Sequence, residues 1–382
     1  MPVTGPDKLI TMTQHDPWYR LADEDQVDSP ALLVYPDRIL ANIREMIRIA
    51  GDPGRLVPHV KTHKMGEVVR MQLREGITRF KCATIAEAEM VAEAGGKDIL
   101  VAYQLNPAKA RRLMRLREAF PETIFSSLID NAASARMLDT LYADEGTRGS
   151  VFIDVDNGMH RTGYPATGDL VGFCCDMDQF LHLHLRGLHV YDGHIHIHDF
   201  SERKARTLED FRPVRNALEA LRFLGMNRLE VIAGGSPTFP VHAGDPALLL
   251  SPGTPLLWDW GYGELLTDED FLPAAVLLTR TISHPAPGHI TTDLGHKSVA
   301  AENPLERRVK FLNLEGYRVV SQSEEHLVVK ADGPLPAVGD ALYAIPYHVC
   351  PTVALYDEAL VVESGHITGR WQIEGRRRHN RF

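Results

Sequence analysis

Between about residues 38 and 260 the chain alternates eight short β-type runs with helical patterns, and this alternation admits few folds. The runs are 56–60, 78–84, 98–103, 123–129, 150–156, 186–191, 229–234 and 248–253. Most are near-continuously apolar, as strands buried on both faces are. The segment 85–94 carries apolar residues at helical spacing and stops at Gly95-Gly96. Segments 131–141 and 204–224 read the same way, and 37–49 is a helix ahead of the first run. Eight βα repeats predict a parallel (β/α)8 TIM barrel. A doubly wound open sheet is the competitor, but no Gly-x-Gly-x-x-Gly follows the first run to support it.

After about residue 272 the texture changes. Alternating runs at 274–282, 308–313, 317–321, 326–329, 341–345 and 360–367 are separated by turn chemistry such as Asp332-Gly333-Pro334. The expected organisation is therefore an N-terminal segment 1–35 partly joining a β-domain, a barrel over 36–272, and a β-rich domain over 273–382. Within the first segment, 31–34 is strand-like.

The net charge of −10 argues against a nucleic-acid partner. The one basic cluster, at 376–381, reads as a solvated chain end. No apolar run approaches membrane-spanning length, and the first twenty residues lack the pattern of a secretory leader. Four cysteines in 382 residues fit a reduced, cytoplasmic protein.

Barrel chemistry gathers at the C-terminal ends of the strands. The first run leads into Pro58-His59-Val60-Lys61-Thr62-His63-Lys64. A poorly solvated lysine there has its ammonium form disfavoured, which suits a Schiff base with an aldehyde cofactor. The fifth run leads to Arg161, between Gly158 and Gly163, where a guanidinium beside a pyridine nitrogen would keep that nitrogen unprotonated. The sixth leads to Tyr191, which can stack on a ring, and to His194-Ile195-His196-Ile197-His198. If extended, that stripe puts alternate imidazoles on one face, as metal ligands or, for His194 or His196, as an acid–base group. Gly234-Gly235-Ser236-Pro237-Thr238 and Ser251-Pro252-Gly253-Thr254 follow the last two runs, the usual phosphate site of this architecture. In the second domain, His348-Val349-Cys350 offers an imidazole and a thiolate to a zinc or manganese ion that keeps open positions.

Together with Asp293-Leu294-Gly295-His296-Lys297-Ser298 and Ser323-Glu324-Glu325-His326, these stretches resemble the D-threonine aldolase and D-serine dehydratase family, pyridoxal-phosphate enzymes of the alanine-racemase-like fold. The resemblance runs from about Ser29 to about Asp357. It implies pyridoxal phosphate joined to Lys61, with Lys64 a neighbour only. It implies Arg161 near the pyridine nitrogen, Tyr191 near the ring, and Gly235, Ser236, Gly253 and Thr254 around the phosphate. It also implies a divalent metal on His348 and Cys350, and a homodimer whose sites lie between barrel and β-domain. Tyr347 stands where the family usually has asparagine, and Trp258-Asp259-Trp260 is unusual after the last barrel run.

The expected reaction is aldol cleavage of a 3-hydroxy-D-amino acid, D-threonine giving glycine and acetaldehyde, with His59, His194 or a metal-bound water as base. A D-serine or D-threo-3-hydroxyaspartate dehydratase uses the same parts, with Lys61 as base, and the Cys350 thiolate leans toward it. An amino-acid racemase leaves the His348–Cys350 pair without a purpose. A non-catalytic cofactor carrier has no need of the second domain. A metal hydrolase on His194 and His196 leaves Lys61 and the phosphate loops unexplained.

Overall fold

The computed structural model describes residues 17–379 and 381–382. The expected absence of a leader falls mostly on 1–16, outside the described residues. The chain divides into two compact units, one of Ile39–Leu272 with Gln372–Phe382, the other of the chain up to Arg38 with Pro273–Trp371.

In the first unit seven parallel strands follow one another in chain order: Arg79–Cys82, Asp98–Gln104, Ile124–Ile129, Gly149–Asp156, Leu183–Val190, Glu230–Ala233 and Leu249–Leu250. The eighth staves the gap between the ends of this row. Residues 56–59 bridge Leu56 to Leu250 on one side and His59 to Lys81 on the other, both parallel. Val57 N donates to Leu250 O at 2.8 Å, His59 N to Pro252 O at 2.8 Å, and Lys81 N to Pro58 O at 2.9 Å. The sheet is thus closed, and its sequential order excludes the doubly wound alternative, whose strand order reverses. The expected strand 56–60 survives only as bridges, because Pro58 and Pro252 have no N–H to give the ladder.

Side-chain alternation sorts the barrel interior along its axis. At the N-terminal strand ends, Arg186 donates to both oxygens of Asp98 at 2.7 Å and to Glu230 at 2.9 Å, while Arg79 reaches Asp98 at 3.0 Å and Glu230 at 2.6 Å. Above them Val57, Leu100, Leu128, Phe152 and Ile232 pack as a buried apolar plug. Burying a side chain of this size contributes roughly 1.5–3 kcal/mol. Only past this plug do polar groups return, at the C-terminal strand ends.

The helices follow their expected positions, with Ile85–Glu93 capped by the Thr84 hydroxyl and Ala132–Asp144 by Asn131. The expected helix 204–224 is two, Phe200–Asp210 and Arg212–Phe223, because Pro213 opens a new helix and cannot continue the old one. The basic chain end is exposed at Arg377, Arg378, His379 and Arg381, as expected, yet its backbone is tethered. Arg381 N donates to the buried Glu89 at 2.9 Å, the Arg112 guanidinium donates to the Phe382 oxygen at 2.9 and 2.6 Å, and the Phe382 ring meets Phe120 edge-on. A carboxylate as buried as Glu89 needs such a donor.

In the second unit Ala31–Val34 pairs antiparallel with Ala275–Ser283, Ala31 facing Leu278, and parallel with Glu358–Glu363. The inner faces bring together Leu33, Tyr35, Val276, Leu278, Tyr343 and Val362. The expected run 360–367 is two strands, broken by Ser364 and Gly365 at φ of 51° and 76°. Strand His289–Thr292 gives no clear apolar alternation and was not expected. It leads into the Asp293–Ser298 motif, whose role here is architectural. Asp293 accepts from Ser29 Oγ at 2.5 Å and from Arg280 N at 3.0 Å, and also binds the Thr279 hydroxyl. A Cβ on Gly295 would lie 2.0 Å from Glu324 O, so only glycine lets the two motif loops meet.

Truncating Arg186 to methionine leaves Asp98 and Glu230 without their shared cation at the barrel base. Chemical denaturation should show a loss of about 3–5 kcal/mol, the cost of breaking a part-buried ion network.

Candidate active site

The closure that pairs His59 with Lys81 sets two amines on neighbouring staves. Lys61 lies in the one-turn 3₁₀ helix Val60–Thr62, whose cap is His59; the His59 Nδ1 accepts from Lys61 N at 3.3 Å. That bond makes Nδ1 the acceptor, so the proton of the neutral ring sits on Nε2. Burial, and then the charges of Lys61, Lys81, Lys64 and His189, push the His59 pKa well below the ordinary histidine value.

Three cationic groups surround the Tyr191 ring: Arg161 Cζ at 5.3 Å, Lys81 Nζ at 5.4 Å and Lys61 Nζ at 5.8 Å from its centroid. No carboxylate within ion-pair distance is recorded for Lys61 among the described residues. Lys64, in contrast, has a left-handed backbone at φ 57° and is paired with the buried Glu87.

Glycines line the Tyr191 ring. A Cβ on Gly193 would fall 2.3 Å from Tyr191 Cε1, and one on Gly235 would fall 2.8 Å from Cε2. The two loops at the end of the barrel are tied together by Ser236 Oγ, which accepts from Gly253 N at 3.4 Å and Thr254 N at 3.2 Å. Behind them Thr238 Oγ1 accepts from Gly235 N at 3.1 Å and donates to Asp192 at 2.6 Å, and His242 Nε2 meets the other Asp192 oxygen at 2.8 Å. All of Ser236, Thr238, Asp192 and His242 are buried. Asn157, one residue past a strand end, is buried with both amide atoms unpartnered. A glycine-lined ring, hydroxyl-bearing loops and a lysine without a carboxylate suit an aldehyde cofactor that carries a ring and a phosphate, so the residues present fit pyridoxal phosphate.

The histidine stripe is not extended, as its alternation had promised. It turns over the buried Arg203, which donates to the carbonyls of Ile197 at 2.9 Å and His198 at 3.0 Å. His196 is exposed, and His198 is within 3.4 Å of Thr267 Oγ1. His194 turns its Nε2 to Asp210 at 2.9 Å and packs on Gly158, while its Nδ1 is buried and unpartnered. Among the described residues no group of three side chains is arranged to hold a metal. In the second unit His348 caps the short helix Val349–Val353, with Cys350 in its first turn, and His348 Nδ1 meets Glu302 at 2.6 Å. An imidazole oriented by a carboxylate, with a thiol two residues on, is half a metal site and fits a divalent ion only with further ligands. Trp258, unusual in sequence, packs at 5.1 Å from Phe271 and belongs to the core.

Lys81 escaped the sequence reading. It is 2% exposed, its Nζ lies 3.3 Å from His189 Nε2, and His189 Nδ1 meets Asp154 at 2.8 Å. Asp154 also accepts from Thr162 at 2.8 Å and Gln104 at 2.9 Å. Burial alone would raise the Asp154 pKa, but its bond with His189 and the bonds from Thr162 and Gln104 hold it below the ordinary value. Burial, then Lys61, lower the Lys81 pKa from 10.5 to about 7 against the pull of Asp154 and Asp192. The signal was the inward face shared by Arg79 and Lys81, two residues apart.

Residues 34–256 match the family described as alanine racemase, N-terminal domain, more than half the chain. The chain belongs to that family. Residues 274–362 match a second, the putative serine dehydratase domain. Among curated relatives, the 3-hydroxy-D-aspartate aldolase of Paracoccus denitrificans is 27% identical over 368 residues, 93% of each chain. The D-threo-3-hydroxyaspartate dehydratase of a Delftia strain is 26% identical over 358 residues, covering 86% of this chain and 93% of that one. A crystal structure of D-threonine aldolase from Filomicrobium marinum superposes with a TM-score of 0.85 at 25% identity, over 92% of this chain and 96% of the other. The family expectation drawn from the motifs therefore holds, in fold and in kin. The chain is a pyridoxal-phosphate-dependent lyase of the aldolase and dehydratase group.

The depressed Lys81 pKa has a consequence for stability. The unfolded chain binds this proton more tightly than the folded one, so Lys81 destabilises the cofactor-free protein fully below about pH 7, and less as pH rises toward 10.5. Lys81→Met should accordingly raise the thermal midpoint at pH 6.5 and raise it much less at pH 9.5, as scanning calorimetry at both values would record.

Proposed function

We propose that the protein cleaves 3-hydroxy-D-amino acids by a retro-aldol reaction, in the manner of a D-threonine aldolase, with pyridoxal phosphate on Lys61. The observation that carries this reading is the Tyr191 pocket, where Lys61 and Arg161 face one ring next to the Ser236 loop. Lys61 is the amine to be joined to the aldehyde. Arg161 serves the pyridine nitrogen, and because a guanidinium does not give up its proton, that nitrogen stays unprotonated. Gly235, Ser236, Gly253 and Thr254 serve the phosphate through backbone amides and hydroxyls. When bound, the cofactor takes up the electron pair left on the α-carbon after a bond to it breaks.

His194 is the favoured base for the substrate hydroxyl. An ionised Asp210 accepts from Nε2–H, which leaves the lone pair on the buried Nδ1. His59 supports the lysine turn through its own Nδ1. His348 and Cys350 are proposed as ligands of a zinc or manganese ion completed by ligands from outside this pair. The names of the relatives support a small 3-hydroxy-D-amino acid as substrate. A homodimer is proposed from the family resemblance, and four cysteines in 382 residues fit a reducing compartment such as the cytoplasm. Among the described residues no helix is long and apolar enough to cross a membrane.

The dehydratase reading has one observation in its favour, the imidazole–thiol spacing of His348 and Cys350. Thiolate favours zinc, a Lewis acid suited to a leaving hydroxide. Products separate the two reactions. D-threonine should give acetaldehyde and glycine; a 2-keto acid and ammonia without aldehyde would make the protein a dehydratase.

Reconstitution with pyridoxal phosphate should produce an absorption band near the visible edge that Lys61→Ala abolishes, and borohydride reduction should fix the label on the Lys61 peptide. A label elsewhere, or none, would sink the assignment. His194→Asn should retain the band and lower turnover by about 10²–10⁴-fold, the usual worth of a general base. Chelation, or His348→Ala, should likewise spare the band and reduce turnover by about 100-fold or more. Undiminished turnover after chelation would remove the metal from the reaction.

A further inference from the structure

The cleavage assigned to this site moves two protons. The hydroxyl loses one, for which His194 is available. The α-carbon, left with the electron pair of the broken bond, must gain one. Arg161 cannot release a proton and His59 has its Nδ1 engaged by the Lys61 amide, which leaves Lys61, displaced when the substrate amine takes its place, and one further amine. One further group facing the Tyr191 ring is a nitrogen acid, and it belongs to a buried chain of three residues from neighbouring staves. Lys81 Nζ is 5.4 Å from the ring centroid and 3.3 Å from His189 Nε2, and His189 Nδ1 is 2.8 Å from Asp154 Oδ1.

We propose that Lys81 is the proton donor to the α-carbon, held in place by His189 and Asp154; this rests on the cleavage reaction assigned above. In this step an N–H bond of the Lys81 ammonium breaks and a C–H bond forms with the electron pair on carbon, leaving a neutral amine. The amine regains a proton from solvent, and as an ammonium it again donates to the His189 Nε2 lone pair. His194 returns the hydroxyl proton to solvent, so the cycle balances and no further reactant is consumed.

The tautomer of the chain is fixed by its far end. Asp154 is an acceptor only and also takes hydrogen bonds from Thr162 and Gln104, so His189 must carry its first proton on Nδ1. Its Nε2 lone pair therefore faces Lys81. There it accepts from the Lys81 ammonium and orients it. The charged and titratable groups around Lys81 are Lys61 and Arg161, which oppose its ammonium form, Asp154 and Asp192, which favour it, and His189 and His59 beside it. Their balance with burial leaves the amine able both to give and to take a proton near neutrality, where such a group works best.

The carbon step can be isolated with glycine, the product of D-threonine cleavage, since loss of its α-proton is the reverse of the proposed donation. In the cofactor-loaded protein in D2O, proton NMR should show exchange of one glycine α-proton, rising with pH as the Lys81 ammonium gives up its proton. Lys81→Met and Lys81→Arg should both keep the visible band and lose exchange by 100-fold or more. Arginine retains the charge and cannot release a proton, so it separates proton transfer from simple electrostatics. A second readout needs no cofactor: the His189 ring-nitrogen resonances should shift with the Lys81 titration and lose that inflection in Lys81→Met. Exchange within tenfold of the parent in either variant, or His189 resonances blind to residue 81, overturns the proposal while leaving the cofactor assignment standing. Absence of the visible band in the parent protein would instead remove the reading on which it rests.

Discussion

The site depends on the closing of a parallel sheet by a stave that barely qualifies as a strand. Residues 56–59 are held to the last strand by Val57 and His59 amides and to the first by the Lys81 amide. Two prolines, Pro58 and Pro252, prevent a longer ladder. Adjacent parallel strands lie about 4.8 Å apart. The bridge between His59 and Lys81 therefore brings the chain leading to Lys61 alongside the strand that carries Lys81. Without that closure the two amines would stand at opposite ends of a sheet, and the Tyr191 pocket would lose one wall.

Closure also separates two kinds of electrostatics along one axis. At the base, Arg79, Arg186, Asp98 and Glu230 satisfy each other, and Arg186 and Arg79 hold the Asp98 carboxyl below its ordinary pKa although burial alone would raise it. Above the apolar plug the balance is different. Lys61, Lys81 and Arg161 face one ring, and the nearest carboxylates, Asp154 and Asp192, are engaged by histidines and hydroxyls. A cluster of like charges is unfavourable in a folded chain and is usually found where a ligand or a reaction needs it. The plug of Val57, Leu100, Leu128, Phe152 and Ile232 keeps the anions of the base from neutralising it.

Much of this was legible in sequence because the barrel writes its periodicity plainly. Long apolar runs separated by helical spacing fix strand count and order, and strand ends then nominate Lys61, Arg161, Tyr191 and the two small-residue loops. The losses have specific causes. Lys81 sits within Arg79-Phe80-Lys81-Cys82, where alternation looks like that of a half-exposed strand; that its polar face is the barrel interior depends on residues 100 and more positions away. His194-Ile195-His196-Ile197-His198 imitates an extended segment, yet Arg203, six residues further on, draws its carbonyls into a turn. The tether of the basic chain end was not legible because the buried Glu89 that holds it lies nearly three hundred residues earlier.

The same geometry explains why neighbouring activities share one framework. Cleavage and dehydration begin with the same bound amino acid and differ in the bond that breaks and in where protons are taken and returned. In the aldol direction one group deprotonates a hydroxyl and another protonates a carbon. In dehydration one group removes the α-proton while the hydroxyl departs. Two carboxylate-bound histidines lie in this barrel, His194 on Asp210 and His189 on Asp154 beside Lys81. Because each is oriented by its own carboxylate, one can be altered without unseating the other. A change in reaction then requires no change of fold or cofactor.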